Sequence, residues 1–483
     1  MRYPCILALG LCCFCWQARA STLEVTPGTL ASLLTDEVRA DASLTLTGAM
    51  DVRDFQTLTG QMPSLKSLDL GGVTIAGYLT PLGRSAGVPG GEFLPDELPT
   101  GALLGLRLET LTLPSTLKVI GEGALASQAL VTLTIPEGVT TIAPNALYGN
   151  EALETLTLPS TLQTLGSYSL AGCTSLREVD LGHTRVKSIP SHLFTGDMAL
   201  RTVKLPVGLN YIEPHAFTSM GLKTITLPQN VLSVGDFAFC DCPDLLSVSS
   251  LSPAATLGRG LFFNCPAFVT FTAPVLEQFP DYLFTGSPNA SVAEHLPGVT
   301  EIGVYALKDN AAQSLQFGKS LVYMGDGALE DMTSLDSIDV TALESNVPAL
   351  GSDVFAGIDQ PSVKLTVADG TKGAWEAADQ WREFELSPLT SSESVTMTPA
   401  QGKVRAWFEG TLLHLTSASP ITSVSLYSPD GTLLARTTPA GSAEAQAEAP
   451  LAATIDTAPF PGPLFLVRAQ TADNTVTLFK LIR

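Results

Sequence analysis

Charge is scarce in this chain, and basic charge is scarcer still. Only 15% of its 483 residues are charged, and 26 basic residues stand against 47 acidic ones, giving a net charge of −21. A surface this acidic repels phosphate backbones and anionic headgroups, so neither nucleic acid nor a membrane surface is an expected partner. Histidine is rare too: His183, His192, His215, His295 and His414 are all there is. None sits in a His-Glu-x-x-His arrangement or beside a cysteine pair at zinc spacing, so no metal and no cofactor is expected. His183 and His192 fall close enough to meet, for which a structural or surface role is the first expectation. No glycine-rich phosphate loop stands at a strand-to-helix junction, and no nucleophile is paired with a base. The chain is therefore not expected to be an enzyme. After the first 20 residues no stretch stays apolar for the roughly 18 positions a membrane-spanning helix needs.

Cysteine is sparse where a fold would use it. Four of the eight lie in the first 15 residues, leaving Cys173, Cys240, Cys242 and Cys265. That first segment reads as a secretory signal peptide over residues 1–20. Arg2 supplies the positive start, Cys5 to Trp16 the apolar stretch, and Ala18-Arg19-Ala20 the small-x-small cleavage site. Cleavage would remove Arg2 and Arg19, leaving 24 basic against 47 acidic residues, or −23.

What the chain has in abundance is one phrase. Leu108-Glu-Thr-Leu111-Thr-Leu113-Pro114 returns as Leu130-Val-Thr-Leu133-Thr-Ile135-Pro136 and as Leu153-Glu-Thr-Leu156-Thr-Leu158-Pro159. It returns once more as Leu222-Lys-Thr-Ile225-Thr-Leu227-Pro228. The starts of the first three copies are 22 and 23 residues apart. A fixed period of this size, apolar at its first, fourth and sixth positions, predicts an α/β leucine-rich-repeat solenoid. Within Leu111-Thr112-Leu113 the period of two sends Leu inward and Thr outward. A second apolar set, such as Ile120-Gly121 with Ala124-Leu125, closes each coil. One coil cannot bury both sides of its apolar layer, so only the stack is stable.

Counting Leu44 and Leu65 at one end and Val363 at the other gives about 14 stacked strands, on the order of 65 Å of sheet. Two degenerate copies in that count end at Leu296-Pro297 and at Leu315-Gln-Phe317-Gly318. Residues 21–107 read as an N-terminal cap with irregular repeats, in which Asp54 to Leu58 turns back over the end of the stack. Gly71 to Gly91 reads as a loop insertion. Residues 108–386 form the regular solenoid, sealed by a helix over Lys372 to Phe384 carrying Trp375, Trp381 and Phe384. Residues 387–394 read as a linker. In 395–483 the long period gives way to seven or eight short alternating runs, which predicts a small antiparallel β-sandwich. Ala440 to Pro450 is a longer loop inside it.

The array resembles the BspA-like leucine-rich-repeat family of bacterial surface proteins, whose repeat phrase is spelled almost whole by Leu153 to Leu176. The closing Trp381-Arg-Glu-Phe384 is similar to that family's final cap. Residues Val424 to Gly431, Gly462 to Arg468 and Phe479 to Arg483 resemble the C-terminal sorting domain of type IX secretion cargo. Pro461-Gly462-Pro463-Leu464-Phe465 stands where that pattern has Pro-x-Gly-x-Tyr. Together the resemblances imply a secreted protein on the outer cell surface. They imply adhesion to protein or glycan on host or bacterial surfaces, and engagement of the secretion machinery by the last domain. The alternative is a structural envelope or matrix component with no specific ligand.

The candidate contact face is the outward side of the repeated strands. It carries Thr110 and Thr112, Thr132 and Thr134, Thr155 and Thr157, Thr202, Thr224 and Thr226, and Thr270 and Thr272. Glu178, Asp180 and Lys204 break the threonine pattern. Two readings stay open: threonine simply suits exposed strand positions, or the face binds a ligand discriminated by those three charges. Asp326, Glu330, Asp331, Asp336 and Asp339 form an acidic run, read as a solvated face or as a weak calcium site. Cys173, Cys242 and Cys265 share one repeat position. They are either a ladder of buried thiols or, for Cys242 and Cys265 in adjacent coils, a possible disulfide.

Overall fold

The computed structural model describes residues 20–79, 92–249, 252, 255–271, 276–292 and 295–388, and the strand residues 405–409, 412–416, 421–427, 433–437, 452–457, 464–471 and 476–482. The segment read as a signal peptide before Ala20, most of the segment read as an insertion over Gly71–Gly91, Thr272 and the segment read as a loop over Ala440–Pro450 lie outside them. Two compact units divide between Leu389 and Thr390.

In the first unit each regular coil contributes two short strands, and these pair in parallel with counterparts in neighbouring coils to form two ladders, each interrupted in places. Thr132–Thr134 lies in register with Thr155–Thr157, and Thr141–Ile142 with Thr164–Leu165. The alternation works as the sequence requires: Leu133 is 2% exposed between two exposed threonines. The second parallel ladder was not anticipated. Its strands are two residues long, too short to announce themselves by alternation. Directly after them the repeated glycine is forced. A Cβ on Gly166 would sit 2.2 Å from the backbone nitrogen of Pro144 in the coil below.

Fifteen described strands line the first face rather than fourteen. Ala20–Val25 pairs with Ser43–Met50, and Glu385–Pro388 pairs with Lys364–Val367, extending the stack at both ends. The latter strand runs into the residues read as a linker. The degenerate copy near Leu296 is instead a 3₁₀ turn, Leu296–Gly298. The α/β expectation is also corrected to a β-solenoid. Coils of this length close through turns, and Asn145, Tyr168, His192, His215 and Phe237 each hold a positive φ of 54–59° there. A left-handed residue in every closing segment prevents an α-helix from continuing through it.

The described helices are short or lie toward the ends. Val52–Gln61 closes one early coil, burying Phe55 and Leu58, so Asp54 to Leu58 belongs to a coil and not to a flap over the stack. Asp54 is buried in its first turn and accepts backbone N–H bonds from Gly28 (2.7 Å), Leu30 (2.9 Å) and Asp51 (3.0 Å). At the other end the expected single helix is a five-residue helix, Lys372–Glu376, followed by a 3₁₀ turn, Trp381–Glu383. Between the caps runs a continuous apolar spine. Part of it is a column of stacked rings, Phe194, Phe217, Phe239 and Phe262, with centroids 5.0–6.0 Å apart.

A polar ladder runs beside this spine. Asn150 Nδ2 donates to the carbonyls of Leu125 (2.9 Å) and Leu147 (2.6 Å), while its Oδ1 accepts from Gln128 N (3.0 Å). In the same repeat position Cys242 Sγ donates to Phe217 O (3.1 Å), Cys265 Sγ to Phe239 O (3.0 Å) and Ser287 Oγ to Phe262 O (2.6 Å). These groups satisfy turn carbonyls that would otherwise be buried unpaired. All four described cysteines are free and buried. The Cys242–Cys265 disulfide is therefore not formed here: both sulfurs serve as donors to carbonyls. Burial pushes the Cys173 thiol well above its usual range, and its partner Cys242, then burial, do the same to Cys265. Residues 21–483, unfolded without reductant, are expected to titrate four thiols; two would establish the bridge instead.

The second unit holds two antiparallel sheets among its described residues. One orders Arg405–Glu409, Leu412–Thr416 and Ala452–Asp456; the other orders Leu433–Thr437, Ile421–Tyr427, Leu464–Thr471 and Val476–Ile482. Leu413, Leu415, Val424, Leu426, Ile455 and Val467 are buried in one cluster drawn from both sheets.

Candidate functional site

The outward threonines stand where the two-residue period places them. Thr110, Thr112, Thr132, Thr134, Thr155, Thr157, Thr202, Thr224, Thr226 and Thr270 are all exposed on one face. Registers such as Thr155↔Thr132, Thr224↔Ser247 and Ser247↔Thr270 align them into rows across the coils. Ser247 and Ser249 continue the rows, and Thr226 Oγ1 lies 3.0 Å from Ser249 Oγ.

The three charges that interrupt the rows form one cluster. Asp180 lies directly across from Lys204, and Glu178 across from Thr202. Lys204 Nζ reaches Glu178 Oε1 at 2.7 Å and Asp180 Oδ2 at 3.1 Å. The bonds to Glu178 and then Asp180 raise the lysine pKa. Burial pushes Asp180 upward, but the Gly182 N–H and Lys204 together outweigh it and hold the carboxyl below its ordinary range. Being exposed, the cluster adds little to stability and is available for contact.

His183 and His192, close enough in sequence to meet within one coil, make separate contacts. His183 Nε2 donates to Leu158 O at 2.8 Å, and its Nδ1 lies 3.6 Å from Asp180 Oδ1. His192 instead stacks between Tyr168 and His215, with centroids at 4.4 and 4.7 Å, and Phe237 continues the row 5.4 Å beyond. Burial and then the neighbouring His215 lower the His192 pKa. This half-exposed aromatic row was missed because its members differ in type and share only the left-handed turn position. Four of the five residues of the acidic run are committed to structural contacts. Asp326 Oδ1 accepts from Ser352 N (2.7 Å), Asp339 Oδ1 from Thr341 N (2.9 Å), and Glu330 and Asp331 pair with Lys308. Among the described residues no group of three side chains is placed to hold a metal ion, and no helix is long and apolar enough to cross a membrane.

Beside the charged cluster the face has a depression of about 480 Å³, lined among others by Glu154, Thr155, Thr157, Arg177, Glu178 and His183. Two stacked parallel ladders, an inward leucine at every coil and a polar outward face define a leucine-rich-repeat protein. The sequence profile of the BspA type leucine rich repeat region, in six copies, matches residues 97–206, 183–291 and 276–369. Those matches span more than half of the chain, which belongs to that family. Among solved structures, the chain is similar to a leucine-rich repeat protein from Bacteroides ovatus, with 20% identity and a TM-score of 0.56 over 72% of this chain and 84% of that one. A leucine rich cell surface protein from Faecalibacterium prausnitzii matches at 18% identity and a TM-score of 0.29, over 54% of this chain and 85% of that one. No curated protein matches.

Proposed function

We propose that this chain is a secreted, cell-surface binding or adhesion protein whose threonine-rich sheet contacts protein or glycan on host or bacterial surfaces. The observation that carries the reading is the face itself. Ten exposed threonines stand in rows over successive coils, with one charged cluster to discriminate among ligands. Short hydroxyl side chains give a flat surface that can donate and accept hydrogen bonds while losing little side-chain entropy on contact. The signal-like segment over residues 1–20 supports export. We read residues 395–483 as a β-sandwich of the type IX sorting kind, engaging the secretion machinery.

Capture of the mature chain by immobilised host matrix proteins, or by co-resident bacterial cells, is expected to saturate. Replacing Glu178, Asp180 and Lys204 together with threonine is expected to weaken that capture without changing the fold, read by circular dichroism. Capture by none of these surfaces would favour a structural envelope component instead. Deleting residues 395–483 is expected to abolish delivery to the cell surface in fractionation; delivery without them would end the sorting assignment.

A further inference from the structure

We propose that the depression between the Thr155–Thr157 and Glu178–Asp180 strands binds a terminal sugar of a neutral glycan. The inference rests on the binding role proposed above and assigns it a site and a ligand class. Both ladders stop at this junction. Thr155–Thr157 and Glu178–Asp180 belong to separate sheets, and so do Thr164–Leu165 and Ser188–Ile189. The second interruption has a chemical cause. In neighbouring coils the residue after the two-residue strand donates its N–H downward: Gly166 to Ile142 O at 2.8 Å, Glu213 to Ile189 O at 2.9 Å and Gly235 to Ile212 O at 2.8 Å. Here that residue is Pro190, which has no N–H to give. On the first face the usual Leu-Pro turn is replaced by Leu181-Gly182-His183. Asp180 Oδ1 caps Gly182 N at 2.9 Å, and the His183 ring, not a neighbouring strand, takes the Leu158 carbonyl.

Among the described residues no backbone hydrogen bond joins 154–158 to 177–181. Peptide edges at this junction are thus left facing the depression, where ligand or water must satisfy them. Glu154 and Arg177 flank it, both exposed, and among the described residues neither side chain has a hydrogen-bond or ion-pair partner. Lys204, which does not line the depression, is committed to Glu178 and Asp180 on its edge. The floor includes Leu156, 9% exposed. The site therefore offers a free acceptor, a free donor, threonine hydroxyls and peptide edges around a small apolar floor. A pyranose matches this mixture, because its hydroxyls both donate and accept and its C–H face is apolar. Three carboxylates against the Arg177 guanidinium and the Lys204 ammonium leave the site net negative, which disfavours an anionic sugar. A peptide strand is a poorer fit, since it would need a second free edge at full strand spacing on each side.

The test is binding of the mature chain to an array of neutral oligosaccharides ending in galactose, fucose or N-acetylglucosamine. Their sialylated counterparts and a set of uncharged extended peptides share the array. A neutral glycan is expected to bind and its sialylated form to bind less. Glu154→Gln and Arg177→Gln should each weaken the neutral glycan on the order of tenfold. Lys319→Gln, on an exposed turn outside the threonine face and several coils from the junction, should leave it unchanged. Both altered side chains are exposed, so an unchanged circular dichroism spectrum is the check on folding. Binding of no neutral glycan, binding indifferent to both variants, or binding of peptides alone would each overturn the proposal. If surface capture persists while no glycan binds, only this site falls and the broader adhesive reading stands.

Discussion

Asp197→Asn is expected to stabilise the protein, and to do so increasingly as pH rises from about 5 to about 8. Asp197 is 0% exposed and occupies the ladder position held elsewhere by Asn150, Cys242, Cys265 and Ser287. Each of those donates to a turn carbonyl of the coil below, and a carboxylate cannot. Neither carboxyl oxygen of Asp197 has a hydrogen-bond partner. Burial pushes its pKa from 3.8 up to about 8, with the nearby N–H groups of Cys173 and Gly172 pulling back without reaching bonding geometry. A protonated acid can imitate the asparagine donor, so the folded state holds the proton that the unfolded chain releases. With the folded pKa raised, the contribution to stability is fullest below about pH 4 and is lost as pH rises toward 8. A shift of this size corresponds to a cost on the order of 5 kcal/mol by pH 8. Asparagine removes both the cost and the slope. Urea unfolding of the two proteins at pH 5 and pH 8 measures it: a gap that does not widen with pH would reject the neutral-acid assignment.

The same ladder marks how far the sequence could be read. Cys173, Cys242 and Cys265 were visible as one repeat position because identical residues at a fixed period are conspicuous. Gln128, Asn150 and Ser287 share that position but not the side chain, so only their hydrogen bonds group them, and Asp197 joins them by its place in the coil alone. The first-face strands were legible because Leu-x-Leu alternation and the following proline recur. The second ladder was not, since two residues such as Val119–Ile120 cannot display a period. The end strands failed for a related reason: Ala20–Val25 and Glu385–Pro388 each have a single neighbour in the stack and need not repeat the interior phrase. On the contact face the rows of threonine were legible from the period of two, whereas the tie of Lys204 to Glu178 and Asp180 was not, because it needs the register between their two strands. The interruption beside them did not, because it depends on what Pro190 fails to donate and on where His183 turns.

Trp381→Ala is expected to lower stability by about 3–5 kcal/mol and to loosen only the C-terminal coils. The indole is 1% exposed and meets Trp375 edge-on at 5.2 Å and Phe355 at 4.9 Å, with Phe384 at 6.0 Å. Its Nε1 has no hydrogen-bond partner, so its worth is packing area, and Trp381→Phe should cost far less than the alanine. Trp375 differs: its Nε1 donates to Glu344 O at 3.0 Å, and Trp375→Phe would leave that carbonyl unpaired inside the cap. Because each coil touches only its neighbours, damage at one end should decay along the stack instead of spreading through a shared core. Amide exchange is therefore expected to rise first in Lys364–Val367 and Glu385–Pro388, while Thr132–Thr134 and Thr155–Thr157 keep their protection. Uniform loss of protection across all of these strands would mean that the coils unfold as one unit. The face would then owe its rigidity to the whole stack, and not to the coils on either side of each contact.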